Sequence, residues 1–183
     1  MNFLELSKKR YSVRSYLSKP VEDEKLAYIL ECARLSQSAA NFQPWLLYVI
    51  KDENVKVQIN KSYPAKWMAE APVYIVICAD KSRAWVREYN KKVHTDIDGS
   101  IITENLCLAA ADCGLGSCWI GHFDPKIISE ILNLPENLDP MAILTVGYPA
   151  NDEIPAKKRK TLEEIVRIIL NLNSKNAGLA ALR

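Results

Sequence analysis

Two short stretches concentrate basic residues: Arg10-Tyr11-Ser12-Val13-Arg14 and Lys157-Lys158-Arg159-Lys160. Alternate residues of an extended segment share a side, so Arg10, Ser12 and Arg14 would set two guanidiniums around a hydroxyl, which suits a cluster of phosphate oxygens. Taken alone, each stretch reads first as a solvated basic face, and the second also as a nuclear-import or nucleic-acid patch. The second is short, however, and runs straight into Thr161-Leu162-Glu163-Glu164, a helix start. A third stretch, Ser38-Ala39-Ala40-Asn41-Phe42-Gln43-Pro44-Trp45, places the polar groups of Ser38, Asn41 and Gln43 among small residues beside aromatic rings. That suits a flat polar heterocycle, although such loops also bond to their own backbone. In the fourth, Gly114-Leu115-Gly116-Ser117-Cys118-Trp119-Ile120-Gly121, glycines at both ends of a short strand mark close approach, to another segment or to a ligand.

Other chemistries find no support. The two histidines, His94 and His122, have no zinc-site spacing, and there is no G-x-S-x-G elbow or Walker loop. Gly114 and Gly116 form a G-x-G, but Trp119 stands where the third glycine belongs and a strand comes next, so any nicotinamide cofactor binds without a Rossmann crevice. With 24 basic against 22 acidic residues in 183, the formal charge is +2, unlike a polyanion-coating protein. Hydrophobic residues at 49% and charged residues at 25% describe a globular chain. Five cysteines, an odd number without a C-x-x-C pair, point to reduced, buried thiols. The N-terminus turns polar too soon for a secretory apolar region, and Val73–Ala79 is too short to span a bilayer. The expected location is the cytoplasm.

Without repeat or linker, residues 1–183 read as a single domain. A short helix is expected over Asn2–Lys9, an irregular stretch over Arg10–Lys19, and a helix over Glu22–Ser36 with Leu26, Ile29, Leu30 and Ala33 on one face. Strands are expected at Trp45–Ile50, Val73–Ala79, Gly116–Gly121 and Met141–Gly147, with a helix over Asn54–Lys61. Val73–Ala79 is apolar throughout, the pattern of a strand covered on both faces. The helix Asp98–Cys113 is nearly all apolar in its second half and is expected to be enclosed on all sides, by a second subunit or within one monomer's core.

Five stretches in chain order, Arg10–Arg14, Ser38–Trp45, Glu70-Ala71-Pro72-Val73-Tyr74-Ile75-Val76, Gly114–Gly121 and Lys157–Lys160, resemble the nitroreductase family of FMN-dependent flavoproteins in its short, compact form. The match runs from Phe3 to about Val166. It implies an α+β fold: a three-layer α/β/α sandwich around a mixed, mostly antiparallel sheet, in a homodimer with FMN at the interface. By this resemblance Arg10 and Ser12 hold the phosphate and ribityl end, with Lys157 and Arg159 closing the other side and Tyr11 adjoining. Arg14 approaches N1 and the C2 carbonyl. Ser38, Asn41 and Gln43 line the flavin edge, largely from the other subunit. Trp119, Ile120 and Gly121 lie by the ring, with a backbone N–H near N5.

The reaction the resemblance implies is ping-pong hydride transfer. NADH or NADPH reduces the flavin and leaves, and a nitroaromatic, quinone or similar acceptor takes its place, with no side chain as acid or base. Two other outcomes stay open, a flavin-binding redox sensor without turnover and a related flavin chemistry such as reductive dehalogenation. The residues 170–183 are expected to fray or to lie across the partner subunit. Trp67, Trp85, Tyr89 and Phe123 are candidates for a lid or wall.

Overall fold

Every side chain from Val73 to Ala79 is 2% exposed or less, and that doubly covered strand is the middle of the molecule. The computed structural model describes residues 2–151 and 153–169. Its strands are β1 (Trp45–Ile50), β2 (Val73–Asp80), β3 (Val86–Arg87), β4 (Lys92–Val93), β5 (Gly116–Ile120) and β6 (Leu138–Gly147). Its helices are α1 (Phe3–Lys9), α2 (Asp23–Arg34), α3 (Glu53–Ile59), α4 (Thr95–Asp112), α5 (Pro125–Ile131) and α6 (Leu162–Ile165). Four strands form the sheet in the order β1-β2-β6-β5, each pair antiparallel, and β3 pairs with β4 as a separate hairpin. A parallel bridge joins Ser12 to Ser117 and lays the Arg10–Tyr16 segment along the outer edge of β5.

The period of two sorts the strand side chains into two cores. Val73, Ile75 and Ile77 of β2 join Ala142, Leu144 and Val146 of β6 under α2 and α4. On the other face Tyr74, Val76, Cys78 and Ile143 pack with Ile59 of α3 and Ile128 of α5. The three layers are those the sequence implies. Asp52 and Asp124 accept backbone N–H bonds at the starts of α3 and α5, and Pro125 opens α5 where a missing N–H costs nothing. Strand β6 begins three residues before the expected Met141. Register shifts between Ile77 and Cys78, so Pro140 sits at a bulge rather than ending the strand, and Met141 is turned against Gly99 of α4.

Helix α4 begins one turn earlier than expected and buries Ile102, Leu106, Ala109 and Ala110. It is not enclosed on all sides within the chain: Ile97 is 38% exposed, and Ile101, Asn105 and Leu108 are half-buried. The expected tail over residues 170–183 lies outside the described residues.

Candidate functional site

The Arg10–Tyr16 segment is anchored by its own last residue. The Tyr16 hydroxyl donates to the Val13 carbonyl at 2.9 Å and lies 2.7 Å from Thr145 Oγ1, and burial pushes its pKa far up. The Tyr16 N–H donates to Glu70 Oε2 at 3.0 Å, and the Val13 N–H to the Ser117 carbonyl at 2.9 Å. Gly116 is needed for that approach, because a Cβ there would lie 2.4 Å from Val13 Cγ2. Thus two of the sequence stretches, 10–14 and 114–121, are one packed unit. Arg10, Ser12 and Arg14 share a side of it, as alternation requires. All three act on the Cys118 thiol, lowering a pKa that burial raises.

Arg10 opens into a cleft of about 470 Å³ that it shares with Lys157, Arg159 and Glu104. Here the late basic stretch meets the early one. Lys157 Nζ donates to the Ser7 carbonyl, which fixes its stem across the mouth of α1. Burial and the neighbouring Arg10 and Arg159 charges lower the Lys157 pKa, as expected of crowded cations. Lys8, paired to Glu5, also lines the cleft, and the one carboxylate on its wall is Glu104, 3.8 Å from Arg10 Nε. The surplus of positive charge is an anion cradle in composition and shape. Tyr11, Ser12 and Arg14 line an adjoining cleft of about 380 Å³ with Asn151, Glu153 and Pro155.

Arg14 points toward the Trp67 ring, 5.9 Å from its centroid. Trp67 meets Tyr63 edge-on at 6.2 Å, and Tyr63 meets His122 at 6.2 Å. This chain of rings joins Arg14 to the end of β5. Ile120 is buried, Trp119 is 36% exposed, and nothing lies within 4 Å of where a Gly121 side chain would be. The backbone there is open to a ligand. His122 is exposed, and Cys118 is buried, with no role beyond packing on this geometry.

The stretch from Ser38 to Trp45 lies elsewhere. It feeds β1, the opposite edge of the sheet, and Ala40, Asn41 and Gln43 all have positive φ, at 51°, 57° and 50°. Ser38 Oγ accepts the Gln43 N–H at 2.9 Å, and Gln43 Nε2 donates to the Asn41 carbonyl and Oδ1 at 3.2 Å. Asp98, fully buried in the first turn of α4, accepts the Ala39 N–H on Oδ1 at 2.9 Å, while its Oδ2 has no partner among the described residues. Sequence reasoning misses Asp98 and Glu104. The signal for Glu104 is an acid at the start of the apolar half of α4, whereas Asp98 shares its first turn with Asp96 and carries no such signal.

The structure therefore brings together Arg10, Ser12, Arg14, Lys157 and Arg159 with the β5 end, and keeps Ser38, Asn41 and Gln43 apart from them. Four strand spacings separate the Arg10–Tyr16 segment from β1, about 19 Å at ~4.8 Å each. One flat heterocycle does not bridge these groups within one chain. No helix among the described residues is long and apolar enough to cross a membrane, and all five cysteines are free thiols, Cys78, Cys107 and Cys118 buried and Cys32 and Cys113 half-buried.

The fold and several sequences agree on ancestry. The Nitroreductase family model matches residues 7–65 and 60–148. A nitroreductase family protein of Clostridium difficile 630 shares 40% identity and superposes with a TM-score of 0.83 over 96% of this chain and 100% of that one. An FMN-dependent nitroreductase of Clostridium difficile R20291 shares 27% identity, with a TM-score of 0.79 over 93% and 100%. An FMN reductase (NAD(P)H) of Bacillus subtilis is 29% identical over 171 residues, which is 85% of this chain and 68% of that protein. With the sandwich, the strand order and the sequence motifs in agreement, this chain belongs to the nitroreductase family.

Proposed function

We propose that the chain is an FMN-dependent NAD(P)H oxidoreductase, acting as a homodimer on nitroaromatic, quinone or similar acceptors. The observation that carries this reading is the cleft that gathers Arg10, Lys157 and Arg159 and is lined also by Lys8, with Glu104 its one carboxylate, a surplus of positive charge that suits a phosphate monoester. The relatives named for FMN and NAD(P)H support the same assignment. Bound FMN supplies hydride acceptance and release at its N5 atom, turning NAD(P)H oxidation into acceptor reduction.

The residues divide the work by place. Arg10, Lys157 and Arg159 neutralise the phosphate, and the Ser12 hydroxyl and Tyr11 flank the ribityl end. Arg14 provides fixed positive charge at the pyrimidine side of the ring, favouring added electrons there. Ile120, Trp119 and the open backbone at Gly121 form a floor with an accessible N–H. Ser38, Asn41 and Gln43 supply donors and acceptors to a second copy's ring, since the sheet holds them on the far edge. No side chain is assigned as a proton donor.

A homodimer answers two facts at once. It joins the halves of the site, and it covers an apolar groove of about 460 Å³ lined by Phe3, Leu6, Tyr28, Leu35 and Leu108. Phe3 at 70% and Leu35 at 67% exposure are apolar surface that a second copy would remove from water. Free thiols and a single domain suit a cytoplasmic enzyme.

The test is a visible spectrum of FMN-supplemented, desalted protein, recorded anaerobically before and after addition of NADH and NADPH. Retained flavin bands that bleach are expected. Bands that neither nucleotide bleaches would turn the assignment to a flavin-binding sensor, and folded protein without flavin would end it.

A further inference from the structure

Between β2 and α4 the chain makes the β3–β4 hairpin, and its charge is out of keeping with the rest of the molecule. Residues 81–92 carry five basic side chains, Lys81, Arg83, Arg87, Lys91 and Lys92, against the single acid Glu88, in a chain of formal charge +2. Lys81 alone of the five is ion-paired among the described residues, to Asp139 at 3.1 Å. Arg87 and Lys92 stand directly opposite each other in the ladder. Like charges in that position repel and work against so short a hairpin. Lys91 adds a third cation beside them and occupies the left-handed region at φ 55°. Arg87 is steadied by one bond, from Nε to Asn90 Oδ1 at 2.9 Å, so its guanidinium keeps further donors free. Arg87 and Lys92 across the ladder and Lys91 at the turn concentrate positive charge that no carboxylate pairs among the described residues, the charge that suits a compact dianion.

The hairpin's base fixes where that receptor sits. The His94 N–H donates to the Trp85 carbonyl at 3.0 Å and the two rings meet edge-on at 4.6 Å, closing the base. The Asp80 N–H donates to the Pro44 carbonyl at 2.9 Å, and beyond His94 the Asp98 carboxylate holds Ala39. Both ends of the hairpin are thus tied to the Ser38–Trp45 loop. Its tip, with Tyr89 fully exposed, stands about 10 Å beyond that base at ~3.3 Å per residue.

We propose that Arg87, Lys91 and Lys92 bind the 2′-phosphate of NADPH and make NADPH the preferred reductant. This rests on the flavin-reductase reading of the Ser38 loop. The 2′-phosphate is the only group that distinguishes NADPH from NADH, and a cationic cluster is what discriminates it.

The test compares kcat/KM for NADPH and NADH in the flavin-loaded protein and in the triple variant Arg87→Ala/Lys91→Ala/Lys92→Ala, together with calorimetric titration of NADP⁺ and NAD⁺ into both. The wild type is expected to favour NADPH at least tenfold and to bind NADP⁺ more tightly than NAD⁺. The variant's ratio should fall toward one, through KM rather than kcat, and added salt should erode the wild-type ratio in the same direction. Equal use of the two nucleotides by a flavin-loaded wild type, or a ratio that survives the triple substitution, overturns the proposal and leaves the flavin assignment standing. A ratio that survives while a preference for nitrobenzoate over nitrobenzene collapses assigns the charge to the acceptor and also overturns it. Folded protein that retains no flavin overturns both.

Discussion

At the β5 edge of the sheet a glycine stands where the backbone is ordinary and space is short. At the β1 edge an alanine stands where the side chain is exposed and the backbone is left-handed. Gly116 lets Val13 come close enough for its N–H to reach Ser117, and the Arg10–Tyr16 segment is then clamped by Tyr16, Thr145 and Glu70. Ala40 at φ 51° gains nothing sterically from its methyl group, and its conformation persists through bonds around it, including Asp98 to Ala39. One half of the proposed site is held by close packing and the other by hydrogen bonds acting against backbone strain. The packed half is suited to a permanently bound phosphate, the strained half to the edge where small molecules come and go.

The largest expected effect is at the packed edge's charge. Arg10→Ala with Lys157→Ala removes two charge-assisted contacts and should weaken FMN binding about a hundredfold or more, measured by flavin fluorescence on titration. Full affinity would show that the cleft is not the phosphate site. Next, Gly116→Ala forces a methyl group against the buried Val13. It should lower unfolding free energy by about 1–3 kcal/mol, read by denaturant titration, and unchanged stability would mean the segment is not clamped as described. The corresponding change at the other edge has the opposite sign. Ala40→Gly should raise stability by roughly 0.5–1 kcal/mol, because glycine enters the left-handed region freely, and a loss of stability would place the strain elsewhere.

The smallest effect lies away from both edges and serves as a control. Glu22 accepts a bond from the Tyr148 hydroxyl at 2.6 Å, and chiefly that bond lowers its pKa from 4.5 to about 2. A depressed carboxyl stabilises the fold above its unfolded value and loses that contribution as pH falls toward the folded one. Stability attributable to Glu22 should therefore fade between about pH 4.5 and pH 2, and Glu22→Gln should flatten that part of the profile without touching flavin binding. An identical acid limb in the variant would remove Glu22 from the account.

Much of the molecule is legible in its sequence, and the misses have physical causes. All four sheet strands show their apolar character, and α2 its three-to-four spacing. The β3–β4 hairpin does not, because two-residue strands made of Val86, Arg87, Lys92 and Val93 carry no periodicity. Helix α5 escapes a reading by periodicity although Asp124-Pro125 is a sound start signal. The site residues can be named from their motifs, but their division between two edges cannot. Strand order, which separates Arg10 from Ser38, is a long-range property that no local pattern records. Asp98 is hidden for a related reason, since its partner Ala39 is a backbone group 59 positions away.

That same strand order has a consequence for how the protein is made. The two central strands, β2 and β6, draw residues 73–80 against residues 138–147. Their pairing closes a long loop, an entropically slow step. On a ribosome, the first 137 residues emerge with β2 lacking one of its neighbours and β5 lacking its only strand partner within the sheet. The nascent chain thus carries an apolar strand without its central partner while residues 81–137 are being made. A chaperone that shields Val73–Ala79 would act in that interval, and flavin can be acquired only after it ends.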